Sequence, residues 1–158
     1  MNIGHIAAET AIAAARQSAE AAGVTAAFAV VDTGGNLVAF SRMDGATLIT
    51  IDTAIGKAYT AVSVGADTIH LTGAIQPGAP LFGTGLTLAQ TRSFVPYGGG
   101  VLIRSADGGR VIGALGVSGA PSSDDDHAIG TAAAAAAVAP VEPAEPVAPV
   151  APVAEPVA

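Results

Sequence analysis

Two short apolar runs folded back on each other at a glycine pair, twice in one chain, leave few choices of fold. Ala26 to Val31 is a continuous β-prone run, Asp32-Thr33-Gly34-Gly35-Asn36 is a turn, and Leu37 to Met43 resumes the pattern. Val101 to Arg104, the turn Ser105-Ala106-Asp107-Gly108-Gly109 and Arg110 to Val117 repeat the arrangement. Glycine reaches the positive φ that tight turns need, so each unit predicts a β-hairpin. Helical patterns surround them. Residues 3–22 carry almost no breaker after Gly4, and Gly23 stands where a C-terminal cap belongs. Leu48 to Val64 is a second helix, Asp67-Thr68 opens a short one through Leu71, and Ser122 or Ser123 caps a last one from Asp124 to about Val138. The order helix, hairpin, helix, loop, hairpin, helix predicts an α+β fold, an antiparallel sheet with helices packed on it.

The chain divides once. From Pro140 six of the last nineteen residues are proline, in repeats such as Pro-Val-Ala-Pro. Such a stretch favours extended polyproline II and cannot bury a core. Residues 1–139 are therefore expected to form one domain, and 140–158 a disordered Pro/Ala/Val/Glu-rich tail. Inside the domain, Gly73 to Gly85 holds Pro77, Pro80 and four glycines. That loop is long for a compact domain and is expected to serve function or an interface.

Composition narrows the function classes. With no cysteine there is no disulfide, thiolate metal site or cysteine nucleophile. Six basic residues against a net charge of −7 give no patch that could neutralise phosphates, which sets nucleic acid aside. No run of residues reads as membrane-spanning, and Met1-Asn2-Ile3-Gly4-His5 lacks the basic start of a secretory signal. A cytoplasmic, membrane-free location is expected. Alanine dominates the apolar residues, so each helix buries little area by itself, and stability is expected to gain from assembly into a homo-oligomer.

Few residues carry chemistry. Lys57 is the single lysine. It lies on a polar stripe, Thr50, Thr53, Lys57 and Thr60, opposite Ile51, Ile55, Ala58 and Val62. One cation among small hydroxyls suits a partly enclosed pocket for an anionic group, with Asp44 or Asp52 beside it. The bland alternative is that Lys57 pairs with Asp44 or Asp52 and holds the helix to the hairpin. The triple glycine Gly98-Gly99-Gly100 lets backbone amides approach a ligand or a second subunit, or simply serves packing. His5 and Glu9 lie one helical turn apart and share a face, as a metal or haem-iron site or as a solvated pair. His70 and His127 are lone histidines. Asp124, Asp125 and Asp126 open a helix, where carboxylates are favoured by its dipole without any metal.

In order and spacing, these segments resemble the GlcG/HbpS family, which includes the C-terminal domain of PduO-type adenosyltransferases. The resemblance rests on Val30 to Phe40, Arg42 to Ala46, Lys57 to Ala61, Gly98 to Val101 and Gly109 to Gly119, followed by Asp124 and Asp126. It spans roughly residues 3–138. It implies a profilin-like antiparallel sheet with flanking helices, assembly into tetramers or octamers, and haem or iron binding in some members. It also marks Asp44, Asp52, Lys57 and Thr60 as recurrent polar positions. The expected function is a small-ligand-binding protein that takes haem or iron, with Asp44, Asp52, Lys57, Thr60, Gly99 and Gly100 at the ligand and His5 and Glu9 at a metal. The alternative is an enzyme or accessory protein of small-molecule catabolism, using Lys57 with Asp44 or Asp52.

Overall fold

The computed structural model describes residues 2–83 and 92–138. The elements run α1 (His5–Ala21), β1 (Ala27–Asp32), β2 (Leu37–Arg42), α2 (Ile49–Val64), β3 (Gly100–Arg104), β4 (Val111–Ser118) and α3 (Ser123–Ala134). Short 3-10 turns occupy Thr68–Leu71 and Ala135–Val138. The tail from residue 140 lies outside the described residues.

The two hairpins join into one antiparallel sheet of order β2-β1-β4-β3. β1 and β4 are central and pair in unbroken register from Ala27↔Ser118 to Asp32↔Gly113. Burial follows from that position. Central β1 is buried on both faces, whereas edge β2 shows exposed and half-buried positions. This is the α+β sheet with flanking helices that the hairpin pattern predicted.

The two faces of the sheet differ in side-chain size. Phe28, Val30, Ile103, Leu115 and Val117 pack with Ile3, Ala8, Ala11, Ile12 and Ala15 of the α1 segment and with Ile129 and Ala133 of α3. The other face offers mainly Ala27, Ala29, Val31, Leu102 and Ala114, and α2 covers it with Ala54, Ala58 and Ala61. Small residues let α2 come very close. A Cβ on Gly116 of β4 would stand 1.9 Å from the Ala54 carbonyl oxygen and 2.8 Å from the Ala58 nitrogen. Helix backbone therefore rests directly on strand backbone, and no side chain fits between.

This approach explains the polar stripe of α2. Thr50, Lys57 and Thr60 are buried against the sheet, while Ile51, Ile55 and Val62 are only half-buried. The hydroxyls cost little there because each bonds a backbone carbonyl three or four residues before it. Thr50 Oγ1 donates to Thr47 O (2.6 Å), Thr53 Oγ1 to Ile49 O (2.9 Å) and Thr60 Oγ1 to Gly56 O (2.7 Å). Thr50, Lys57 and Thr60 of the stripe therefore face the sheet.

Candidate functional site

α3 opens on Ser122, whose hydroxyl accepts the Asp125 N–H at 3.1 Å as an N-cap. Three carboxylates follow at about 100° intervals, so they point in different directions. Only Asp126 turns inward, on the buried row that continues through Ile129, Gly130 and Ala133. There it meets the lysine of α2. Lys57 Nζ donates to Asp126 Oδ2 at 2.6 Å and to the Val117 carbonyl at 3.0 Å. Asp126 Oδ1 accepts the Ala120 N–H at 2.9 Å. Lys57 is 5% exposed and Asp126 4%. Burial pushes the Asp126 carboxyl above the usual range, and the attraction of Lys57 offsets part of that rise.

The sequence expectation that Lys57 pairs with Asp44 or Asp52 is thus corrected: its carboxylate is Asp126. Asp44 lies exposed after β2, and Asp52 is exposed on the outer side of α2. The sheet stands between α2 and α3, and Lys57 reaches past the end of β4 to α3. Gly99 makes room for it. Its φ is +117°, and a Cβ there would lie 2.6 Å from Val117 O and 3.0 Å from both Lys57 Nζ and Asp126 Cβ. Gly100 packs on the Lys57 carbonyl, and its N–H donates to Thr68 Oγ1 at 2.8 Å. Lys57, Gly99 and Gly100, expected at a ligand, here come together around a closed ion pair. Thr60 stands a turn away and accepts the Val95 N–H at 2.8 Å.

An open cleft lies on the outer side of α2. It has a volume of about 390 Å³ and is lined by the Gly35-Asn36-Leu37 turn, by Asp52, Ile55, Gly56 and Tyr59, and by Arg92 and Ser93. Positions 52, 55, 56 and 59 form one face of a helix. The turn is held by Asp32, whose Oδ1 accepts the Gly34 and Asn36 N–H groups, each at 2.9 Å. The Asn36 bonds are the main reason the Asp32 carboxyl sits below its ordinary range. Arg92 spans the cleft. Its Nη1 donates to Gly34 O (3.0 Å) and Gly35 O (2.8 Å), and its Nη2 to Asn36 Oδ1 (3.3 Å). Its guanidinium lies 5.3 Å from the centre of the Tyr59 ring.

His5 and Glu9 are both exposed on α1, and no group of three metal-ligating side chains occurs among the described residues. His70 is exposed. His127 is half-buried on α3, with Nε2 3.4 Å from Thr131 Oγ1. None of them lines the cleft. Sequence reasoning missed the roles of Asp126, Tyr59 and Arg92. Asp126 had a signal, because 126, 129, 130 and 133 share helical spacing. Arg92 had none, since the chain around it carries no periodicity.

No helix among the described residues is long and apolar enough to cross a membrane. The sequence profile described as haem degrading protein HbpS-like matches residues 3–135. An uncharacterised 15.0 kDa protein from the dhaT–dhaS intergenic region of Citrobacter freundii is 40% identical over 121 residues, covering 72% of this chain and 82% of that protein. The crystal structure of Klebsiella pneumoniae ORFY superposes with a TM-score of 0.78 at 34% identity, covering 88% of this chain and 92% of that one. The crystal structure of a PduOC:haem complex superposes with a TM-score of 0.77 at 31% identity, covering 88% and 96%. By profile, sequence and fold together, the chain belongs to the HbpS-like family.

Proposed function

We propose that this protein binds haem, in the cleft between the first hairpin turn and the outer face of α2. The observation that carries the reading is the set of groups converging there: a tyrosine, a guanidinium and apolar walls in one open cleft. Kinship with PduOC, whose crystal structure is of a haem complex, supplies the ligand class.

The residues present fit that group. Leu37, 50% exposed, and half-buried Ile55 offer apolar surface to a macrocycle face. The phenol oxygen of Tyr59 bonds no described residue, and tyrosinate is an established type of axial ligand to haem iron. Arg92 supplies the positive charge that a propionate needs. Asp52, at the rim, keeps one wall polar. Bound haem would bring the redox and oxygen chemistry of its iron. The protein's part is to seat the ring, hold the carboxylates and limit water on one side.

Titration with haemin, followed at the Soret band, tests the proposal. Saturable one-to-one binding that weakens in Tyr59→Phe, with a changed Soret position, is the expected result. Full retention in Tyr59→Phe with loss in His5→Ala would move the iron to the α1 face and overturn the cleft as the site. We further propose that the protein assembles with copies of itself, as Leu48 and Ile49 are 76% and 64% exposed at the start of α2. Light scattering that reports a monomer at micromolar concentration would exclude this.

A further inference from the structure

We propose that Arg92 is the specificity-determining residue of this cleft, and that it selects ligands carrying a free carboxylate. The inference rests on the haem reading above and adds which ligand atoms are recognised and by which edge of which side chain.

The argument is a count of donors and charges. A guanidinium has five N–H groups in a fixed plane. Nη1 donates to Gly34 O and Gly35 O and Nη2 to Asn36 Oδ1, so all three acceptors belong to one turn. Nε–H has no acceptor among the described residues. Nε–H together with an Nη2–H forms the guanidinium edge whose geometry accepts a carboxylate through two parallel hydrogen bonds.

No carboxylate is in ion-pair contact with this charge: all three acceptors are neutral, and the one ion pair among the described residues is Lys57–Asp126. Asp32 behind the turn feels Arg92 electrostatically and Asp52 lines the same cleft, so the cradle fixes the orientation of Arg92 while its charge is only partly offset. The Tyr59 ring beneath adds a second restraint. A side chain already ordered loses less entropy when it binds. In a chain of net charge −7, a long-range field would repel an anionic ligand. Recognition of a carboxylate therefore has to be local, and an oriented guanidinium with no carboxylate in direct contact is the local device. Lysine could not replace it, because an ammonium cannot bond two turn carbonyls and also present a two-point edge.

The test compares haemin with haemin dimethyl ester, which keeps the iron and ring but lacks free propionates, on the full-length wild type, Arg92→Gln and Arg92→Lys. Wild type should bind haemin roughly tenfold or more tighter than the ester, the size expected for a charge-assisted bidentate contact. Arg92→Gln should lose that preference by weakening haemin alone, with ester affinity unchanged. Arg92→Lys should restore only part of it. Unchanged ester binding also reports that the cleft is still formed in the variants. Equal weakening of both ligands would make Arg92 a support for the turn and overturn the proposal, as would a full preference retained in Arg92→Gln. Absence of saturable binding of either ligand by the wild type would instead defeat the haem reading itself.

Discussion

α2 carries two cationic environments on its opposite sides, and they are built on opposite principles. Inside, Lys57 is closed off, neutralised by Asp126 at 2.6 Å and bonded to Val117 O. Outside, Arg92 is exposed, held by neutral carbonyls and an aromatic ring, and lines a cleft. A charge meant to hold a fold together needs a fixed counter-charge, because an unpaired ion in a dry interior costs several kcal/mol. A charge meant for a ligand needs orientation without a counter-charge in direct contact. The sequence alone singles out the lysine, since it is unique in the chain. The structure gives it to the scaffold, and the ligand role we propose falls to an arginine.

The sharpest way to break the comparison is to remove the inner cation. Lys57→Met leaves the Asp126 carboxylate buried with backbone N–H partners at Gly119 and Ala120 but no counter-charge, and should cost about 3–5 kcal/mol. The melting temperature should fall steeply. Lys57→Met combined with Asp126→Leu removes both charges and should recover most of the loss, because a buried ion pair is often no better than apolar packing. If Lys57→Met instead melted normally and lost haemin binding, the assignment of the two cations would be reversed.

Gly99→Ala probes the same brace from the backbone side. The added methyl would press on Val117 O, Lys57 Nζ and Asp126 Cβ at a residue with φ of +117°. Overpacking of this kind typically costs about 1–3 kcal/mol. Chemical denaturation should show a lowered midpoint, with haemin affinity of the folded protein unchanged. A smaller effect belongs to the cleft. Tyr59→Phe keeps the ring beneath Arg92 and removes only the hydroxyl, so stability should stay within about 0.5 kcal/mol. Denaturation midpoints and Soret spectra of the same samples would separate the two roles.

What could be read from the sequence follows from how local each signal is. Glycine-pair turns between apolar runs are complete within about fifteen residues, and they gave both hairpins and the antiparallel sheet. Ser122 capping α3 is equally local. The Lys57–Asp126 pair joins residues 69 positions apart, and no local pattern can choose among thirteen acidic residues at that separation. Asp44 and Asp52 were favoured by nearness in sequence, yet three-dimensional proximity is set by how closely Gly100 and Gly116 let α2 settle on the sheet. Arg92 was invisible for a related reason. Its position depends on where an aperiodic segment meets the turn and Tyr59, which is a property of the assembled fold.

The smallest predicted effect contrasts the two carboxylates nearest these cations. Asp32 anchors the turn that cradles Arg92, and hydrogen bonds from Asn36 and Gly34 lower its folded pKa from an ordinary value of 3.8. A lowered folded value means that ionised Asp32 stabilises the fold above 3.8. That contribution is lost as the pH falls below 3.8 and through the folded value. Asp126 acts in the opposite sense, because burial raises it, and the stability its ionisation removes is recovered as the pH falls. The acid limb of the wild-type curve therefore mixes both, and Asp32→Asn separates them. Asparagine keeps an oxygen that can accept the Gly34 and Asn36 N–H groups, so the loss near neutral pH should be slight. Paired melting curves should show wild type above Asp32→Asn at neutral pH, with the gap closing as the pH drops below 3.8. A gap that did not change with pH would mean that the turn does not depend on the charge of Asp32. The orientation of Arg92 would then rest on the carbonyls and the Tyr59 ring alone.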